Sequence, residues 1–170
     1  MTENQHIIQF SKSLITASHP IFETMFQTKI NPLKPKLKES DKTDCDISSI
    51  MNFSGIFQDK QFFSLFILSW PKETYLKMAS MLLGEEYSDI NEDNFDVCAE
   101  VNNMIAGNAK KELATLGYKI DMAIPSIIQG QGHKVSYPKS SDIIVIPFMS
   151  TYGEFSCEVC FTWAPTKASS

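Results

Sequence analysis

Apolar positions at Ile7, Phe10, Leu14, Ile21 and Met25 recur at helical spacing, so the chain opens with a helix over His6 to Lys29. Pro20 either breaks or kinks it, or Ser18 caps a second helix with Pro20 near its first turn. The lysine- and proline-rich stretch NPLKPKLKESDKTD follows as loop or edge strand. Two apolar runs rich in β-formers, Ile50 to Phe57 and Phe62 to Trp70, flank Gln58-Asp59-Lys60-Gln61 and read as a hairpin. A second helix starts at Pro71, carries Thr74, Leu76, Met78, Ala79 and Leu82, and stops at Gly84. The longest helical pattern then runs from Asn91 to Gly117. Ile120 to Gly130 reads as a strand interrupted by Pro125, and Ser141 to Thr151 with Gly153 to Ala164 as a closing strand pair about a turn at Tyr152-Gly153. This order predicts an α+β fold, with helices laid on a largely antiparallel sheet and a pseudo-two-fold rhythm. One domain covers 1–170, with its core at about 5–164 and 165–170 as a tail.

The helix over Asn91 to Gly117 is unusual on its polar side. At about 100° per residue, Phe95, Val97, Cys98, Val101, Met104, Ile105, Ala109, Leu113 and Leu116 form the half expected to be buried. Asp96, Glu100, Asn103, Gly107, Lys110 and Lys111 fall on the other half. Glu100 and Asn103 are three apart on one ridge, with Cβ atoms within about 6 Å. Gly107 continues the ridge one turn on, where glycine costs about 1 kcal/mol against alanine. Either another molecule approaches closely there or the glycine accommodates packing. A Glu-x-x-Asn spacing is common by composition alone, so without context the pair reads as solvated surface. Asn102 and Asn108 point toward the apolar half and are expected to be buried and hydrogen-bonded.

Charge narrows the function. The net charge is −5, and all 15 basic residues are lysine, because the sequence contains no arginine. Scattered lysines among 20 acids do not make a nucleic-acid face. An arginine-dependent phosphate cradle is likewise unavailable, so any phosphate chemistry must borrow its cations. The N-terminus lacks a basic stretch followed by an apolar run, and Phe62 to Trp70 is far shorter than the roughly 20 residues that span a bilayer. A soluble, cytoplasmic protein without membrane insertion is expected.

Cys157 and Cys160 have a suggestive spacing but lie in GEFSCEVCFTW, which alternates as a strand. There Phe155, Cys157, Val159, Phe161 and Trp163 face one way, and Ser156, Glu158, Cys160 and Thr162 the other. His6, His19 and His133 offer no ligand pairing, so no metal site is expected and the four cysteines read as reduced and structural. Gly130-Gln131-Gly132-His133 reads as a turn, since no helix follows to turn its Gly-x-Gly into a phosphate loop.

A strand with Asn52-Phe53-Ser54-Gly55, then SWPKETYLKMASMLLGEE, then acids, then AEVNNMIAGNAKKEL and IPSIIQG follow one another in an order that resembles the CheC/CheX/FliY family of response-regulator phosphatases. The resemblance runs from about residue 5 to 163. The family's Glu-x-x-Asn signature falls on Glu100 and Asn103 and occurs once, as in the CheX branch; the first helix lacks it. The resemblance implies a phosphatase for the phospho-aspartate of a CheY-like response regulator in chemotaxis or other two-component signalling. Asn103 would orient the attacking water, as a water-positioning glutamine does in GTPases, and Glu100 would pair with the regulator's lysine. Asp96, Gly107, Lys110 and Lys111 would meet the partner, although Lys110 and Lys111 also read as a solvated helix end. Mg²⁺ would be bound by the regulator, and no cofactor by this chain. The resemblance also implies a homodimer, for which Gly153 to Ala164 is a candidate edge strand, with Phe155, Phe161 and Trp163 either in the contact or in the core. The alternative is a non-catalytic module of the same shape that binds a receiver or a motor or signalling component. A purely structural role in the flagellar switch needs surrounding domains that the sequence does not contain.

Overall fold

The computed structural model describes residues 1–139 and 141–165, so most of the expected tail lies outside the described residues. Helices α1 (Glu3–Phe26), α2 (Lys72–Leu83) and α3 (Val97–Thr115) cover one face of an eight-stranded sheet. The strands are β1 (Asn31–Pro32), β2 (Lys36–Leu37), β3 (Ile47–Phe57), β4 (Lys60–Trp70), β5 (Lys119–Met122), β6 (Ser126–Gln129), β7 (Ile143–Ser150) and β8 (Gly153–Trp163). Their order is β1-β7-β8-β4-β3-β5, with β2 also on β7 and β6 also on β3. Every pairing is antiparallel.

Pro20 neither ends nor divides α1, which runs unbroken for 24 residues. Ile7, Phe10 and Leu14 before the proline, and Ile21, Phe22 and Phe26 after it, are all buried. Burying both stripes offsets a helix-interior proline's cost of about 3 kcal/mol. Ser18 caps nothing: its hydroxyl donates to the carbonyl of Leu14 at 2.7 Å. The helix is capped instead at Thr2, whose hydroxyl accepts from the Gln5 amide at 3.3 Å while the Gln5 side chain accepts from the Thr2 amide at 2.7 Å.

The first hairpin closes through Gln58 and Asp59, both left-handed at φ 48° and 65°, the geometry that matches strand twist in a two-residue turn. Pro125 separates β5 from β6, and one extra residue between them shifts their register on β3, as a bulge does. Gly55 on β3 is obligatory: an added Cβ would sit 2.1 Å from the carbonyl oxygen of Lys119 on β5. The lysine-rich stretch supplies β1 and β2, two residues each, blunting the β7 edge.

The closing strand is not an edge. β8 lies between β4 and β7, with Phe155 and Phe161 in the core and Trp163 packed against it. An apolar strand of this length is most stable where ladders form on both sides. The same position buries Cys160 and Glu158 on the face away from the helices. Among the described residues no helix is long and apolar enough to cross a membrane.

Candidate functional site

Helix α3 begins at Val97, six residues later than the periodicity predicts. Asn94 is fully buried, its side-chain amide donating to the Asp89 carbonyl at 2.9 Å and its side-chain oxygen accepting from the Asn91 amide at 3.1 Å. Those local bonds fold 92–96 into turns, the competition with helix that asparagine side chains offer. Asp96 is the N-cap but makes no capping bond with its own side chain. The cap comes from α2. The Tyr75 hydroxyl accepts from the Cys98 amide at 3.2 Å and donates to the carbonyls of Asn94 at 2.7 Å and Phe95 at 3.1 Å. Burial pushes the Tyr75 pKa up, so the hydroxyl keeps its proton.

Val97, Cys98, Val101, Asn102, Ile105, Ala106, Ala109 and Leu113 form the buried stripe. At 100° per residue, Asp96, Glu100, Asn103 and Gly107 lie almost diametrically opposite. Asp96, Glu100 and Asn103 are exposed, Gly107 is half-buried, and no hydrogen bond or ion pair within the described residues engages the side chains of Glu100 or Asn103. Lys110 is half-buried and Lys111 exposed, both near the C-terminal end of the ridge. Among the described residues nothing lies within 4 Å of a Cβ built on Gly107, so their packing does not require glycine there.

Three positions depart from the expected burial. Met104 is 44% exposed, beside Asn103, because the sheet and α1 cover a narrower stripe than the apolar half of the helix. Leu116 has passed beyond the last helical turn and is exposed. Asn108 is also exposed, on the flank next to Met104. Asn102 is buried and bonded as expected: its amide nitrogen donates to the Ser49 carbonyl at 2.8 Å and to the Ser49 hydroxyl at 3.1 Å. Its side-chain oxygen accepts no hydrogen bond from the described residues.

Glu100 and Asn103 stand on the exposed face of α3. Two grooves, of about 860 and 950 Å³, lie elsewhere, the first on the sheet face opposite the helices and lined by Ile50, Phe63, Leu65, Met122 and Ile128. Neither includes Glu100 or Asn103. An exposed carboxylate and carboxamide cannot exclude water alone, so a partner that covers them must complete any chemistry there. Among the described residues no group of three or more His, Cys, Asp or Glu is placed to hold a metal ion. Cys157 and Cys160 lie on opposite faces of β8, and burial pushes the Cys160 thiol up to about 11, an inert environment. Tyr75, 23 residues upstream of the amide it caps, carries no local sequence signal for that role.

An antiparallel sheet with three helices on one face is the architecture of a CheC-like domain. The family described as chemotaxis phosphatase CheX matches residues 47–149, and the chain belongs to it. It is 32% identical over 89 residues to the CheY-P phosphatase CheX of Thermotoga maritima, an alignment that spans 52% of this chain and 56% of that one. Chemotaxis protein CheX from Vibrio vulnificus superposes with a TM-score of 0.80 at 28% identity, over 90% of this chain and 99% of that one. CheX in the CheX-CheY-BeF3-Mg²⁺ complex from Borrelia burgdorferi superposes with a TM-score of 0.72 at 26% identity, over 92% and 98%.

Proposed function

We propose that this chain is a protein phosphatase that hydrolyses the aspartyl phosphate of a CheY-type receiver domain in the cytoplasm. The observation that carries the reading is the placement of Glu100 and Asn103, which stand side by side, uncommitted, opposite the buried stripe of a helix fixed to the domain. The similarity to the Thermotoga maritima CheY-P phosphatase and to the CheX that is bound to CheY in the Borrelia burgdorferi complex supports it.

In the reaction, water oxygen bonds to phosphorus as the bond from phosphorus to the aspartyl oxygen breaks, giving inorganic phosphate and a free carboxylate. An acyl phosphate is already activated, so positioning dominates. The Asn103 carboxamide can donate to one oxygen and accept from another without titrating, which suits holding a water in line. Glu100, one turn away, pairs with the receiver's lysine and sets the docking register. Asp96, Gly107, Lys110 and Lys111 border the contact. The receiver supplies the cations, Mg²⁺ included, that balance the phosphoryl oxygens. A homodimer belongs to the same proposal, with its contact outside β8, since β8 is paired on both sides.

The test is decay of phosphorylated CheY-type receivers from the same organism, with Mg²⁺, in the presence of wild-type protein or Asn103→Ala. Wild type accelerates the decay of one or more receivers, and Asn103→Ala loses about 100-fold of that rate. Full activity in Asn103→Ala overturns the mechanism. Binding of a phosphorylated receiver by wild type without acceleration replaces the enzyme by a recognition module.

A further inference from the structure

We propose that Tyr75 and Asn102 are positioning residues that fix the axial place and rotation of α3, and so aim Glu100 and Asn103 at the receiver. The proposal rests on the phosphatase reading above.

The two residues act on either side of Glu100. Tyr75 bonds at the start of the helix, taking the Cys98 amide that Asp96 leaves without a side-chain cap and donating to the two carbonyls before it. Asn102 bonds four residues later, and both hydrogens of its amide go to Ser49 on β3. The pinned points are about 6 Å apart along the axis and attach to different supports, one to α2 and the other to the sheet. Van der Waals contacts from Val101, Ile105 and Ala109 hold the helix down, but such contacts are non-directional and leave its rotation soft. Directional bonds remove that freedom. A side chain chosen for packing alone would fill the Asn102 site without polar atoms, whereas this one directs its amide at the carbonyl and hydroxyl of Ser49 inside the core. Buried polar groups are best attested as such register devices. Asn103 follows Asn102 at about 100° around the helix, so a rotation at Asn102 is transmitted directly to the outward carboxamide.

The test uses full-length Tyr75→Phe and Asn102→Leu on a phosphorylated receiver that wild type dephosphorylates, with kcat and KM measured separately and a thermal melt in parallel. In each folded variant kcat falls about tenfold while KM moves less than about threefold, because an in-line attack tolerates less misplacement than docking through long side chains. Wild-type kcat in a folded variant overturns the proposal, as does a loss that only follows the unfolded fraction. If Asn102→Leu does not fold, Tyr75→Phe, which removes a single oxygen, carries the decision. Full activity in Asn103→Ala removes the phosphatase mechanism itself, whereas an inactive Asn103→Ala beside a wild-type Tyr75→Phe removes the positioning role alone.

Discussion

Two carboxylates, Glu158 on β8 and Glu100 on α3, sit on opposite sides of the sheet and are treated in opposite ways. Glu158 has both oxygens engaged, one by Lys38 Nζ at 2.6 Å and the other by the Tyr137 hydroxyl, and its side chain is 4% exposed. Glu100 is exposed, and its side chain engages no partner among the described residues. Around Glu158 the neighbouring polar groups are satisfied too: the Ser48 hydroxyl lies 2.6 Å from both the Ser69 hydroxyl and His133 Nε2, and His133 Nδ1 is 2.7 Å from the Gly130 carbonyl. The far-face cluster ties β2 and the segment after Gly132 onto the sheet, so it is architecture. On the ridge the side chains of Glu100 and Asn103 make no such bonds among the described residues, and they remain available to a partner.

The contrast breaks most sharply under paired substitution. Lys38→Met leaves a buried carboxylate without its cation, at a cost of about 3–5 kcal/mol. That corresponds to a fall in melting temperature of about 6–20 °C for a domain of this size. Turnover per folded molecule should stay at the wild-type value, because the change lies across the sheet from α3. Asn103→Ala should do the reverse: the loss of about 100-fold in rate comes with a stability change within about 0.5 kcal/mol. Calorimetry and receiver dephosphorylation on both variants check this. A large stability loss in Asn103→Ala would place the ridge among the architecture.

How far the sequence anticipates this difference depends on the range of the interactions. Local signals read well: the hairpin falls within Gln58-Asp59-Lys60-Gln61, although Lys60 and Gln61 already belong to β4, and the Gly84 stop, the break at Pro125 and the Glu100/Asn103 ridge stand where short-range pattern puts them. Alternation along β8 sorts Phe155, Cys157, Val159 and Phe161 onto the core face correctly. It also turns Glu158 away from the core, but cannot show that Lys38 and Tyr137, 120 and 21 residues distant, close over it. The same limit makes β8 look like an edge and α3 look longer than it is, since Asn94 and Tyr75 settle its start through tertiary bonds. Pro20 misleads for the opposite reason, because a local breaking rule yields to burial along the whole of α1.

Alkaline pH separates the two regions more gently. Tyr137 is pushed up by burial and by its bond to Glu158, so the folded protein holds this proton beyond the ordinary tyrosine value near 10. A raised pKa means that the unfolded chain loses the proton first. The contribution is therefore complete below pH 10 and declines above it, by at most about 1.4 kcal/mol per pH unit for one proton. Tyr75 and Tyr118, the latter raised to about 12 by burial, add slopes of the same sign. In denaturant titrations between pH 9 and 11, Tyr137→Phe should flatten the decline by up to one proton's share. An unchanged slope would show that the hydroxyl is not held in the cluster.

The smallest effect tests the ridge where it makes no contact at all. Gly107 sits mid-helix with open space where a side chain would be, so replacing it by alanine meets no obstacle inside the chain. Helix propensity then predicts a gain of about 1 kcal/mol, or a rise of about 2–4 °C in melting temperature. If a receiver packs closely against this turn, the added methyl group stands in its way, and Gly107→Ala should raise KM for the phosphorylated receiver while the free protein becomes more stable. Opposite signs in the two measurements would mean that the glycine serves the partner rather than the fold. A gain in stability with KM unchanged would move the docking surface off this turn, toward Asp96 at the other end of the ridge.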